Sequence, residues 1–352
     1  MNAKSPADDL LRRVARKVLV ESLSLQKGES LTVESWNNGL PFARQVVLEA
    51  RRIGAIPLTI FEDEDAYVEG ARTTPKDVLG KMGKHEYKLL SGSDAYVFIP
   101  GPVIGMLSRR LTREEVADST AYVDSWYRAA AKAKLRGVRM AFGYVGQDVS
   151  AILGKSVDTI VTHQLNAALV DFRSIRKKAS ELSAVFSEGV EVEVKTPGSA
   201  LGFRLTGVKE VDDGVVDAKD VEEGNNVCYM PPGYVYAELD PKTVTGRFAF
   251  SPTATRFGVI KDGTIEFRDG KVSGWTSKAS SAALSRLAGA APEKARQASA
   301  ITVGLNPLLK YGYGQNAHSA GVVGIRVLGV SFTTNRGSLD AGGKAQLVRG
   351  HF

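Results

Sequence analysis

The segment Lys310-Tyr311-Gly312-Tyr313-Gly314-Gln315-Asn316-Ala317-His318 gathers a cation, two phenols, an amide pair and an imidazole. Its glycines let the backbone approach a ligand closely. His318 would serve there as a general acid or base. Tyr234 and Tyr236 alternate, so both face one side of an extended segment, and Arg256 follows the Ser251–Thr255 run. Phenols, amides and cations suit recognition of a planar or anionic small molecule. The same residue types suit a subunit contact, where tyrosine and arginine are enriched. His318 and Tyr234 are therefore the catalytic candidates. Tyr236, Glu238, Arg256, Lys310, Tyr311, Tyr313, Gln315 and Asn316 are the ligand-binding candidates.

Glu238, Asp240 and His318 together offer an alternative: three ligands and an open position for a divalent metal such as zinc or cobalt. Asp240 before Pro241 also reads as an ordinary loop, and His318 beside Ser319 as an ordinary polar residue. No Gly-x-Ser-x-Gly turn supplies a nucleophile for His318. Cys228 is the only cysteine, which excludes an internal disulfide and any cysteine-rich metal site. Its apolar neighbours predict a buried structural thiol.

The elements that must position these groups fall into two patterns. Up to about residue 182, helical stripes alternate with short buried strands. Helices are expected at 8–24, 40–53, 113–134 and 157–182, and strands at 31–33, 56–61, 94–99 and 138–142. Such alternation implies a parallel sheet covered on both faces, with ligands beyond the carboxyl ends of its strands. No Gly-x-Gly-x-x-Gly or Walker-type loop follows any strand, so no cofactor is expected. The acidic run Glu62-Asp63-Glu64-Asp65 reads as a helix start rather than a cation site. From Gly189 the pattern becomes strand-rich. Val190, Val192 and Val194 alternate with polar residues, as do Leu201, Phe203 and Leu205. Ile260 and Ile265 around Lys261-Asp262-Gly263-Thr264 suggest a hairpin. A helix is expected at 278–290, and strands at 301–305 and 322–332. The fold class is thus α/β: an N-terminal parallel-sheet domain, 1–182, and a C-terminal α+β domain with a largely antiparallel sheet, 183–352.

The net charge of +7 comes from scattered basic residues. The cluster Arg173–Lys178 reads as a solvated helix face, so nucleic acid is not an expected partner. No apolar run approaches the ~20 residues that span a bilayer, and Met1–Asp9 lacks a secretory core. A cytoplasmic protein is expected, without membrane contact.

The second half carries a resemblance. Val192–Phe203 is similar to the segment that opens the catalytic domain of the aminopeptidase T and aminopeptidase S family of metallo-exopeptidases. Asp212-Asp213-Gly214, Asn226–Gly233, Gly304-Leu305-Asn306-Pro307 and Gly343-Lys344 resemble further family segments, and Lys27-Gly28-Glu29 a strand entry in the first half. The resemblance implies a homodimer that removes N-terminal residues from peptides with a two-metal site. Such a site needs carboxylates and imidazoles to hold the metals and acidify water. At the positions where the family has these ligands, this chain has Tyr234, Ala300, Gly324 and the Gly329-Val330-Ser331 stretch. No His-x-Asp occurs anywhere in it. The same gap weakens a resemblance to the related ring-cleaving dihydroxypyridine dioxygenases. The expectation is an aminopeptidase-T-like protein that has lost its metal pair. It would take a small-molecule or peptide-like ligand, peptide-like or anionic, in a tyrosine-rich cleft between domains. The alternatives are a metallo-aminopeptidase with the rearranged Glu238, Asp240 and His318 site, and a non-catalytic assembly protein.

Overall fold

A computed structural model describes residues 6–112, 115, 120–277, 280–313, 320, 322–334 and 337–346. The chain divides into two compact units that interleave in sequence. Met1–Ala151, Lys155–Leu169 and Gly214–Pro231 form the first; Ile152–Gly154, Val170–Asp213 and Pro232–Phe352 form the second. Sequence patterning places a single cut at 182/183. The units exchange chain instead because the apolar run around Cys228 returns to the first sheet.

The first unit is a five-stranded sheet in which β1 (Ser30–Trp36), β2 (Ile56–Glu62), β3 (Ala95–Ile99), β4 (Arg136–Met140) and β7 (Val227–Met230) lie in the order β2-β1-β3-β4-β7. All neighbours are parallel. Strand alternation gives the sheet two unlike faces. On one, Leu31, Val33, Ala95, Val97, Ile99, Val138 and Met140 are buried, with Ser35 beside Ile99 as a buried polar residue among them, and Cys228 is buried with them. The other carries Thr32, Glu34 and Trp36 on β1, Tyr96 and Phe98 on β3, Arg139 on β4 and Tyr229 on β7. The Thr120–Lys132 helix lies on that face, with Trp126 edge-on to Tyr96 at 5.2 Å.

The strand order reverses between β1 and β3, where a parallel sheet of this kind offers a ligand crevice. Here the protein fills it. Trp36 packs edge-on to Tyr67 at 5.0 Å, beside Val68, Val103 and Leu111. A Cβ on Gly101 would lie 2.2 Å from the Trp36 ring. Asn38 donates to the Gly143 carbonyl at 2.7 Å. Asn37 binds Asp63 and accepts from Glu64 N. Asp63 caps the Glu64–Thr73 helix, so the acidic run is a helix start, as its sequence suggests.

The second unit holds an eleven-stranded, largely antiparallel curled sheet. Its strands are β5 (Glu191–Thr196), β6 (Ser199–Asp212), β8 (Tyr234–Leu239), β9 (Thr245–Phe250), β12 (Gly263–Arg268), β13 (Lys271–Ser277), β14 (Ala300–Gly304), β15 (Val323–Val327), β16 (Val330–Thr334), β17 (Ser338–Ala341) and β18 (Lys344–Gln346). The main path runs β13-β12-β9-β6-β8-β14-β15-β16, and β5 joins β6 to β17. β10 (Thr253–Thr255) and β11 (Gly258–Ile260) form a separate ribbon. The core is built from alternate residues, including Leu201, Phe203, Val235, Ala237, Phe248, Ile301, Ile325 and Phe332, with Leu284 from the Ser281–Ala290 helix.

Three expectations change. The hairpin read at 260–265 does not form: β11 pairs with β10, and β12 pairs with β9 and β13, so the tight turn falls at Asp269-Gly270. The strand read at 322–332 is a hairpin, because Leu328 and Gly329 both take left-handed conformations that end β15. The helix read at 157–182 is two, Val157–Ala167 and Phe172–Val185, since Asp171 caps a new start.

Candidate functional site

β8 carries Tyr234, Tyr236 and Glu238 on the face opposite its core residues Val235, Ala237 and Leu239. Antiparallel register extends that face across its neighbours. Glu210 and Asp212 of β6 stand opposite Tyr236 and Tyr234. Thr302 of β14 stands opposite Tyr236, Gly324 of β15 opposite Thr302, and Thr333 of β16 opposite Gly324. The adjoining row is Glu238, Ala300, Arg326 and Ser331. The positions where the family resemblance places metal ligands, Tyr234, Ala300, Gly324 and Ser331, thus share one sheet face.

Their chemistry does not fit a metal pair. They present a phenol, a methyl group, no side chain and a hydroxyl, where two metals need carboxylates and imidazoles. The Tyr234 hydroxyl donates to the Glu210 carboxylate. Among the described residues no group of three or more His, Cys, Asp and Glu is placed to hold a metal ion. Glu238 of the rearranged alternative pairs with Lys209 at 3.6 Å. Asp240 accepts from Lys242 N at 3.0 Å and caps the short turn Pro241–Thr243. His318, Gln315 and Asn316 lie outside the described residues.

Burial raises the Tyr236 phenol above its ordinary range; Arg326 opposes that shift, and Glu238 and Glu210 add to it. Tyr236 therefore stays a neutral hydrogen-bonding group, with a cation and two carboxylates close enough to feel. Tyr311 donates to the Pro252 carbonyl and sits close to Thr333 and Thr253, which brings the segment after β14 to this face. Arg256 lies in the turn between β10 and β11; Lys310 is exposed and Tyr313 half-buried. The two stretches that carry the resemblance are stapled together: Asn306 donates to the Pro232 carbonyl at 2.8 Å, and Leu305 N to the Gly233 carbonyl at 2.7 Å. Gly233 accepts this because its φ is +116°, with Asn306 where a Cβ would sit.

Sequence reading finds β8 but misses its partners. Glu210 and Asp212 show the same period of two as Tyr234 and Tyr236, and that is the available signal. Thr302, Thr333 and Arg326 join them only through register, which no local pattern prints.

A parallel α/β unit interleaved with a largely antiparallel one defines the class of fold, and solved structures share that fold. The chain is similar to wild-type AmpT from Thermus thermophilus over 95% of both chains, with 17% identity and a TM-score of 0.62. It is similar to 2,5-dihydroxypyridine dioxygenase from Pseudomonas putida KT2440 over 96% of this chain and 95% of that one, with 11% identity and a TM-score of 0.60. The fold is therefore aminopeptidase-T-like. No protein-family model and no curated protein matches the sequence. No helix among the described residues is long and apolar enough to cross a membrane.

Proposed function

We propose that this chain is an aminopeptidase-T-like protein that has given up two-metal hydrolysis and binds a small peptide-like ligand on the second unit's polar sheet face. One observation carries the reading: the face that holds Tyr234, Ala300, Gly324 and Ser331 also holds Glu210, Tyr236, Glu238 and Arg326. Carboxylates on one side and a guanidinium on the other suit the ammonium and carboxylate ends of an amino acid or short peptide. Tyr236 supplies a neutral hydroxyl beside them, and the Tyr234 hydroxyl holds the Glu210 carboxylate. A homodimer in the cytoplasm completes the proposal.

The test is elemental analysis of the purified, untagged protein after dialysis without chelator, beside hydrolysis of a panel of amino-acid amides. The expected result is no stoichiometric transition metal and no chelator-sensitive hydrolysis. Stoichiometric zinc, cobalt, manganese or iron with hydrolysis that a chelator abolishes would overturn the reading in favour of a metallo-aminopeptidase.

A further inference from the structure

Among the described residues of the first unit, Arg139 is a shielded cation with no carboxylate paired to it. Arg139 points from β4 to the polar face of the parallel sheet, in register with Phe98 on one side and Tyr229 on the other. Its guanidinium carbon lies 5.0 Å from the Phe98 ring centroid and 5.3 Å from that of Tyr144. It donates to the Tyr127 hydroxyl at 3.4 Å and makes side-chain hydrogen bonds with Tyr144 and Tyr229. Tyr127 and Tyr229 are themselves linked at 3.2 Å. Arg139 Nε is shielded from solvent and finds no acceptor. Among the described residues no carboxylate forms an ion pair with it. The nearest acid in its own row of the sheet is Glu34, two strands away beyond Phe98 and engaged by Tyr96.

An arginine cannot shed its proton to escape burial. The surrounding phenols do not supply the missing charge either. Burial pushes Tyr144 up to about 12 and Tyr229 well above its ordinary range, so both remain neutral at physiological pH. The arrangement is a planar cationic fork set among phenol hydroxyls and walled by rings.

We propose that Arg139, with Tyr127, Tyr144 and Tyr229, forms a binding site for a small monocarboxylate that has an aromatic or apolar body. A carboxylate matches the fork in a bidentate geometry and brings the single negative charge the site lacks. A dianion would overshoot that charge on a face that also carries Glu34. Phe98, Tyr144 and Trp126, the last edge-on to Tyr127 at 5.3 Å, provide the apolar surroundings for the rest of the molecule. This site lies wholly in the first unit and is independent of the sheet face in the second.

The experiment titrates the full-length protein with benzoate by calorimetry and thermal shift, with benzamide and inorganic phosphate as comparison probes. Benzoate is expected to bind saturably and raise Tm, while benzamide and phosphate do neither. Arg139→Met is expected to weaken benzoate by about tenfold or more. Its own Tm without ligand should equal or exceed that of the unaltered protein, because an apolar replacement removes an unpaired buried charge. Tyr127→Phe, a milder change, should weaken benzoate severalfold and leave Tm nearly unchanged. No saturable response to benzoate, or an equal response to benzamide or phosphate, overturns the proposal. So does unchanged benzoate affinity in Arg139→Met or, should that variant not fold, in Tyr127→Phe.

Discussion

Replacing Glu34 by glutamine keeps the shape of the side chain and removes its ability to titrate. Glu34 sits half-buried in β1, accepts from the Tyr96 hydroxyl, and has Glu62 and Glu86 nearby. Burial of the carboxyl, outweighing the Tyr96 hydrogen bond, raises its pKa from 4.5 to about 7, with Glu62 adding to the rise. Between those values the folded chain holds a proton that the unfolded chain has released. Stability from this group is therefore intact below pH 4.5, declines as pH rises, and is gone above about 7. The gap of 7 − 4.5 = 2.5 pH units, at 1.36 kcal/mol each, sets a ceiling of about 3 kcal/mol. The amide of the Glu34→Gln variant has no such dependence. Urea unfolding followed by tryptophan fluorescence, repeated from about pH 5 to about pH 8, compares the two proteins. Glu34→Gln should gain on the unaltered protein as pH rises toward about 7 and level off above it, by up to about 3 kcal/mol in all. A stability difference that does not change with pH would refute the assignment of a proton to folded Glu34.

Two further substitutions probe the supports of each unit. Gly101→Ala places a Cβ 2.2 Å from the Trp36 ring and should cost roughly 1–3 kcal/mol, read as a lower urea midpoint at unchanged slope. A neutral result would mean that Trp36 moves freely and does not fill the crevice between β1 and β3. Tyr234→Phe removes the donor to Glu210 on a face where Tyr234 is otherwise buried, and should cost about 1 kcal/mol by the same measurement. A stabilised Tyr234→Phe would show that this hydrogen bond contributes nothing to the fold.

The first four strands are legible because each is a short apolar run closed by a turn signal, as at Ile99-Pro100-Gly101. β7 is visible only as apolar sequence around Cys228. Its membership of the parallel sheet depends on pairing with β4, where Val227 stands beside Gly137 from far earlier in the chain. Local patterning carries no such information. The β8 candidates Tyr234, Tyr236 and Glu238 stand out because alternation fixes a shared face within one strand. Glu34 and Arg139 escape notice because they sit in or beside runs read simply as strand, Leu31–Val33 and Val138–Phe142. A charged residue in a strand that alternation predicts to be covered is the signal for both. The misplaced hairpin at 260–265 has a different cause: Lys261-Asp262-Gly263-Thr264 has turn composition, but the partners of β11 and β12 lie on other strands.

The interleaving of the two units has a consequence for how the protein is made. β4 is complete at Met140, yet its outer neighbour begins only at Val227. At roughly 5–20 residues per second of synthesis, several seconds separate the two. During that interval β4 presents an open edge to every other nascent or misfolded chain nearby. Arg136 and Arg139 mark this strand, and charge on an exposed edge discourages pairing with strangers. The second unit, meanwhile, supplies the polypeptide that spans the wait, from Val170 to Asp213. A ribosome releasing this protein therefore cannot finish its first sheet before it has begun its second.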